Sequence, residues 1–209
     1  MLFGTPRRQA ARACAALLLA AAVPGAPCAA AADRAAPSRE ELSRGSQLLA
    51  SSPAAALAHL KRAYTLAHAG GLDSVEAAAL LRIGQVELGR DVPRARIVLR
   101  AALPLWRAHQ DSTGASRTLA ALAEADRRQG RLAGAVALLE QAARAAPGAR
   151  ERTRLFALCA ALDTDLDDPI ARGRHLESQA RAAQAAGDPQ GQAQAVAARA
   201  QLLGQLGAL

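Results

Sequence analysis

The feature that most constrains this chain is a recurrence of small residues. Gly45, Gly84, Ala123, Cys159 and Ala200 follow one another at steps of 39, 39, 36 and 41 residues. A second series, Ala56, Ala95, Ala135 and Ala171, runs in parallel. Ala63, Ala102 and Ala142 each lie seven residues beyond a member of that series, with Leu60, Leu99 and Leu139 between. A period of this length means stacked supersecondary units, each of which buries its apolar face only against a neighbour.

Residues 119–147, LAALAEADRRQGRLAGAVALLEQAARAAP, show what one unit is. Leu119, Leu122, Ala123 and Asp126 fall at i, i+3, i+4 and i+7, one face of a helix. Gly130 supplies the left-handed residue that ends this helix without a Cβ clash. Leu132, Ala135, Leu139 and Ala142 form the stripe of a second helix, which Pro147 stops. The alanines stand where two antiparallel helices approach closely, because a larger side chain would push the axes apart. Helices are expected over 38–50, 53–69, 73–89, 92–109, 113–129, 132–145, 149–163, 169–186 and 189–206. The fourth unit departs from the pattern, with His175 and Ser178 where the others have leucine and alanine.

Composition agrees with close-packed helices. Hydrophobic residues are 51% of the chain and aromatics only 2%. Clusters of β-branched and aromatic residues with period-2 alternation are missing, so no strand is expected.

The first 32 residues read as a secretory signal peptide. Arg7, Arg8 and Arg12 form a basic start, Ala13 to Val23 an apolar run, and Pro24, Gly25 and Pro27 a break before the small residues Ala29 to Ala32. Eleven apolar residues are too few to span a bilayer as a helix. Cleavage is expected within residues 28–32, with 33–37 a linker and 38–209 the repeat domain. Two variants remain open, lipidation at Cys28 and twin-arginine export through Arg7 and Arg8. An uncleaved N-terminus in the cytoplasm is the third. Loss of the three leader arginines takes the 26 basic residues to 23 against 18 acids, and the formal charge from +8 to +5.

The order L..LA..D...G.L..A...L..A....P resembles the tetratricopeptide repeat (TPR). Leu119, Leu122, Ala123, Gly130, Leu132, Ala135, Leu139, Ala142 and Pro147 all match that family's signature positions, and Ala200 and Gly207 match its first-helix half. The spacing is similar to the long-repeat variety of the family. The resemblance covers roughly residues 38–209. It implies an all-α fold, a right-handed α-α superhelix of about four helix pairs plus a C-terminal capping helix. It also implies repeat packing through Gly45, Ala56, Ala63, Gly84, Ala95, Ala102, Leu119, Leu122, Ala123, Gly130, Ala135, Leu139, Ala142, Pro147, Cys159, Ala171 and Ala200.

Carried over unit by unit, the resemblance implies a peptide groove on the first helices. Its lining would be Arg39, Leu42, Ser46 and Leu49, then Leu81, Gln85 and Leu88, then Arg117, Glu124, Arg127 and Arg128. Thr153, Phe156 and Asp163 would follow, and last Gln194 and Gln201. Such a groove is arginine-rich in its middle, and arginine forks onto carboxylate or phosphate. The Lys and Asn set by which one branch of the family grips a C-terminal carboxylate is missing, since Leu42, Leu81 and Ala120 stand where its lysines would be. The function this implies is an exported, non-catalytic scaffold or adaptor in the cell envelope, periplasmic or secreted, that binds a protein or peptide, an acidic one suiting its arginines. The alternative is a basic surface for an anionic envelope polymer or a membrane.

Other chemistry finds little support in the residues. No cofactor, nucleic acid or metal is expected. Tyr64, Trp106 and Phe156 are too dispersed to stack bases. The four histidines show no ligand spacing. Asp163, Asp165 and Asp167 alternate as in a calcium loop, but Asp168 and Arg174 replace its glycine and final glutamate. An acidic turn capping the next helix is the expected role of Asp167 or Asp168. Cys159 falls on a packing position, which suits a buried thiol.

Overall fold

The computed structural model describes residues 26–207. The chain divides into Met1–Arg34 and Ala35–Leu209, and everything below concerns the second unit unless stated. Among the described residues there are nine helices and no strand. They are α1 Ala26–Leu48, α2 Pro53–Gly70, α3 Asp73–Glu87, α4 Val92–Ala108, α5 Ser112–Arg128, α6 Leu132–Ala145, α7 Ala149–Asp165, α8 Pro169–Ala185 and α9 Pro189–Gly207. From α2 onward each helix packs on its successor, which makes an all-α helical-repeat solenoid.

The expected helix starts at 53, 73, 92, 132, 149, 169 and 189 all hold. Local chemistry explains them. Asp91, Asp111 and Asp168 each accept a hydrogen bond from a backbone N–H in the first turn of the helix they precede, at 3.0, 2.8 and 2.8 Å. Proline stands in the first turn of α2, α4 and α8, where its missing N–H is not needed. Gly130 has φ 72°, as the turn after α5 requires. Ala146 is extended because Pro147 follows it, and α6 stops there.

The N-terminal end departs from expectation. Residues 33–37, expected as a linker, lie inside α1, with Pro37 in the helix interior. Alanine is the strongest helix former, and the alanine-rich sequence around Pro37 outweighs the single hydrogen bond a proline removes. Ser38 takes up a local carbonyl by donating to the Ala35 oxygen at 3.0 Å. Of the expected signal peptide, residues 1–25 lie outside the described residues, and 26–32 are helical.

The packing role of the small residues holds in four of the five places. A Cβ on Gly45 would lie 2.7 Å from Leu60 Cγ, and one on Gly84 2.5 Å from Leu99 Cγ. Ala56, Ala63, Ala95, Ala102, Ala123, Ala135, Ala142, Cys159 and Ala171 are all buried. Ala200 is the exception, for it is exposed. It sits on α9, which has α8 beneath it and no described helix above it.

Two cores result. Leu81, Leu88, Leu99, Trp106 and Leu122 join α3, α4 and α5. Leu119, Leu139, Leu155, Cys159 and Leu162 join α5, α6 and α7. Trp106 is fixed by its ring N–H, which donates to Thr118 Oγ1 at 3.0 Å, while Thr118 donates in turn to the Gly114 carbonyl at 2.8 Å. A full set of buried leucine, alanine and tryptophan contacts is the main stabilising term in such a stack.

Candidate binding surface

The first helices of successive pairs, α3 and α5, touch one another directly. Arg128 crosses that boundary and donates from Nη1 to the Leu88 carbonyl at 2.7 Å. The expected groove residues lie on or beside α1, α3, α5, α7 and α9, but not all are open to a ligand.

Three leave the groove. Leu81 and Leu88 are buried at 6% and 8% exposure within the first core, and Asp163 is buried at 2%. The reason is that α3 is walled by α2, α4 and α5, so ten of its fifteen residues are buried and little of it faces water. Leu42 and Leu49 are half-buried against Leu57, Leu60, Ile83 and Val86. The expected apolar end of the groove is therefore largely core. Ser46 and Thr153 donate to the carbonyls of Leu42 and Ala149 within their own helices, at 2.7 and 3.0 Å.

What remains exposed is polar. Arg39, Gln85, Arg117, Arg127, Arg128, Gln194 and Gln201 are exposed, and Glu124 is half-buried. Gln85 accepts from Arg82 at 3.2 Å. Glu124 holds two guanidinium groups at once. Arg127 donates from Nε to Oε2 at 2.7 Å and from Nη2 to Oε1 at 2.8 Å, and Arg128 donates from Nε to Oε1 at 2.6 Å. The i,i+3 and i,i+4 spacings on one helix make this fork possible. Arg127 foremost, and then Arg128, hold the Glu124 carboxyl below its ordinary range, against an opposing desolvation. Glu124 in turn raises the guanidinium of Arg127. Two cations on one anion leave one positive charge in excess at the last turn of α5.

A buried acidic series was not singled out in the sequence. Glu87, Asp126 and Asp163 occur at steps of 39 and 37 near the ends of α3, α5 and α7, and all are buried. Asp126 is bridged by Arg131 of its own pair and by Arg96 Nε of the preceding one, the latter at 3.1 Å. Asp163 faces His175, and Glu87 lies 3.7 Å from Arg94 Nε. The recurrence was readable, but its partners are brought together only by the stacking of helices.

The histidines likewise meet carboxylates. His59 Nδ1 lies 2.8 Å from Glu41, His68 Nδ1 3.1 Å from Glu76, and His109 Nε2 3.6 Å from Asp73. His175 bridges Asp163 at 2.5 Å and Glu140 at 3.0 Å, and its ring stacks on the half-buried Phe156. Among the described residues no cluster of three or more His, Cys, Asp or Glu could hold a metal ion. The acidic turn behaves as a cap: Asp168 serves α8, Asp163 points into the core, and Asp165 and Asp167 are exposed. No described helix is long and apolar enough to cross a membrane.

Neither a protein-family model nor a curated protein matches this chain.

Proposed function

We propose that this is a non-catalytic helical-repeat scaffold of the TPR kind, exported to the cell envelope, which binds a protein or peptide along its first helices. The TPR reading draws on the matched residues of the third pair, Leu119 to Pro147, and on the helix pairs that the same spacing marks out along the chain. The observation that carries the binding reading is the Glu124 fork. Arg117, Arg127 and Arg128 are exposed side chains on one helix, and the last two share the Glu124 carboxylate, so an acidic peptide side chain or terminus can replace or extend a bond already formed. Buried leucines at 81 and 88 make this a polar recognition surface laid on a rigid core, with arginine contacts setting specificity.

An acidic-peptide array probed with the full chain tests this. Joint Arg127→Ala and Arg128→Ala should weaken binding about tenfold or more, since one charge-assisted hydrogen bond contributes roughly 1.5–3 kcal/mol. The melting temperature should fall modestly, because Arg128 also loses its bond to the Leu88 carbonyl, while helix content is kept. An unaltered peptide profile in that variant sinks the reading. Binding that is blind to peptide sequence and collapses with added salt would instead favour an anionic polymer as ligand.

A further inference from the structure

The first turns of α7 hold three arginines with different fates. Arg152 is tied back to the Ala146 and Pro147 carbonyls at 3.0 and 3.1 Å. Arg150 and Arg154, one turn apart and both exposed, donate no hydrogen bond among the described residues, and Arg154 comes no closer than 3.7 Å to a carboxylate, that of Glu151. Both line a cavity of about 650 Å³ between α7 and the turn that joins α8 to α9. Thr153 and Ala157 complete the α7 wall, and Asp188 and Gln190 stand opposite. Asp188 Oδ1 accepts from the Gly191 N–H at 2.9 Å, so that carboxylate is turned toward its own helix. Two cations against one anion leave the lining one positive charge in excess.

We infer that this cavity anchors an acidic side chain of the peptide that the first helices bind, an inference that rests on the function proposed above. Guanidinium groups one turn apart on a helix can fork together onto the oxygens of one carboxylate. The opposite wall has different chemistry. Asp188 Oδ2 only accepts, while the Gln190 amide both donates and accepts. A peptide brings carboxylate, backbone N–H and backbone C=O together and so matches every part of the lining. A simple inorganic anion would instead meet the Asp188 carboxylate as a like charge. The volume falls within the range of about 300–1,000 Å³ for clefts that enclose an organic ligand, which admits a side chain with its backbone. Thr153, a groove position implied by the TPR resemblance, lines the same cavity. A second arginine pair thus stands on the first helix that follows α5.

The test titrates a fluorescein-labelled peptide of alternating serine and glutamate with the full chain, read by fluorescence anisotropy at physiological salt. Arg150→Gln with Arg154→Gln should weaken binding about tenfold or more, since charge-assisted hydrogen bonds are lost. Arg100→Gln with Arg107→Gln removes the same charge from exposed positions on α4 and should change binding less than about twofold, because salt screens distant charges. Circular dichroism checks that both double variants keep their helix content. A photo-crosslinking residue at position 157 should capture the peptide. Equal losses in the two double variants, wild-type affinity that survives the Arg150 and Arg154 changes, or no capture at position 157 would overturn the site while the function proposed above stands. Free glutarate that competes as well as the peptide would reassign the cavity to a small dicarboxylate and overturn the anchor too. A wild-type chain that binds neither this peptide nor any on the acidic array would sink that function and this site with it.

Discussion

His175 occupies in α8 the place that Leu60, Leu99 and Leu139 hold in α2, α4 and α6, and its Nδ1 lies 2.5 Å from Asp163 Oδ2. One polar pair thus replaces an aliphatic knob at the same level of the stack. Its Nε2 reaches back 3.0 Å to Glu140 of the preceding pair. Removing one partner of such a buried pair strands the other without water. His175→Leu alone should therefore destabilise by about 3–5 kcal/mol, although it restores the residue of the other repeats. The double variant His175→Leu with Asp163→Val should regain most of that loss. Urea unfolding of the four proteins in the cycle is the measurement, and simple additivity would contradict the account.

Gly84 tests the close approach of α3 and α4. A Cβ there would lie 2.5 Å from Leu99 Cγ, and Leu99 is fully buried with no room to turn aside. Overpacking costs about 1–3 kcal/mol, against a gain near 1 kcal/mol from alanine's better helix propensity. Gly84→Ala should lower stability on balance. Gly204→Ala, with open space around the added methyl, should raise it by up to about 1 kcal/mol. Thermal melts that rank the two variants the other way would refute the packing role of the small residues.

Cys159 should behave as an inert thiol. Burial above all, with the nearby Asp163 and Glu140 carboxylates, pushes it up to about 12. At pH 8 the native protein should resist iodoacetamide at Cys159, and urea should release that reactivity, as read by mass spectrometry of its peptide. The native thiol holds its proton to higher pH than the unfolded one. Its contribution is therefore intact below the ordinary thiol value near 9 and is lost as pH climbs toward 12.

Glu124 sets the free charge at the end of α5. Its carboxyl is depressed mainly by Arg127, so its contribution to stability exists above the ordinary carboxylate range and fades as pH falls through the lowered value. The pairs are partly exposed, and Glu124→Gln should cost less than about 1 kcal/mol. The same change frees two guanidinium groups and should tighten acidic-peptide binding severalfold at neutral pH. Fluorescence anisotropy with one labelled acidic peptide would decide it, and weaker binding would contradict the proposed role.

Helix placement was legible because the stop signals and the small residues carry it locally. Pro53, Asp91, Gly130, Pro147 and Pro169 mark ends that need no tertiary information. The stretch 33–37, expected as a linker, is helical through Pro37, because the backbone there follows the surrounding alanines. The groove was only half legible. The TPR resemblance implied groove positions for Leu81, Leu88 and Asp163, but whether a position faces water depends on how many neighbours wall its helix. Ala200 carries the small-residue signal and is nonetheless exposed, with no described helix packed over it, which spacing alone does not reveal.

Asp126, held by Arg96 on one side and Arg131 on the other, works as a rivet between consecutive units. With the Arg128 to Leu88 bond and the His175 to Glu140 bond, each junction along the middle of the array has its own fastener. An unravelling front coming from either terminus must shear these one at a time. Amide deuterium uptake should thus be slowest in α5 and α6 and quicken toward α9, so the array comes apart from its ends and not from its waist.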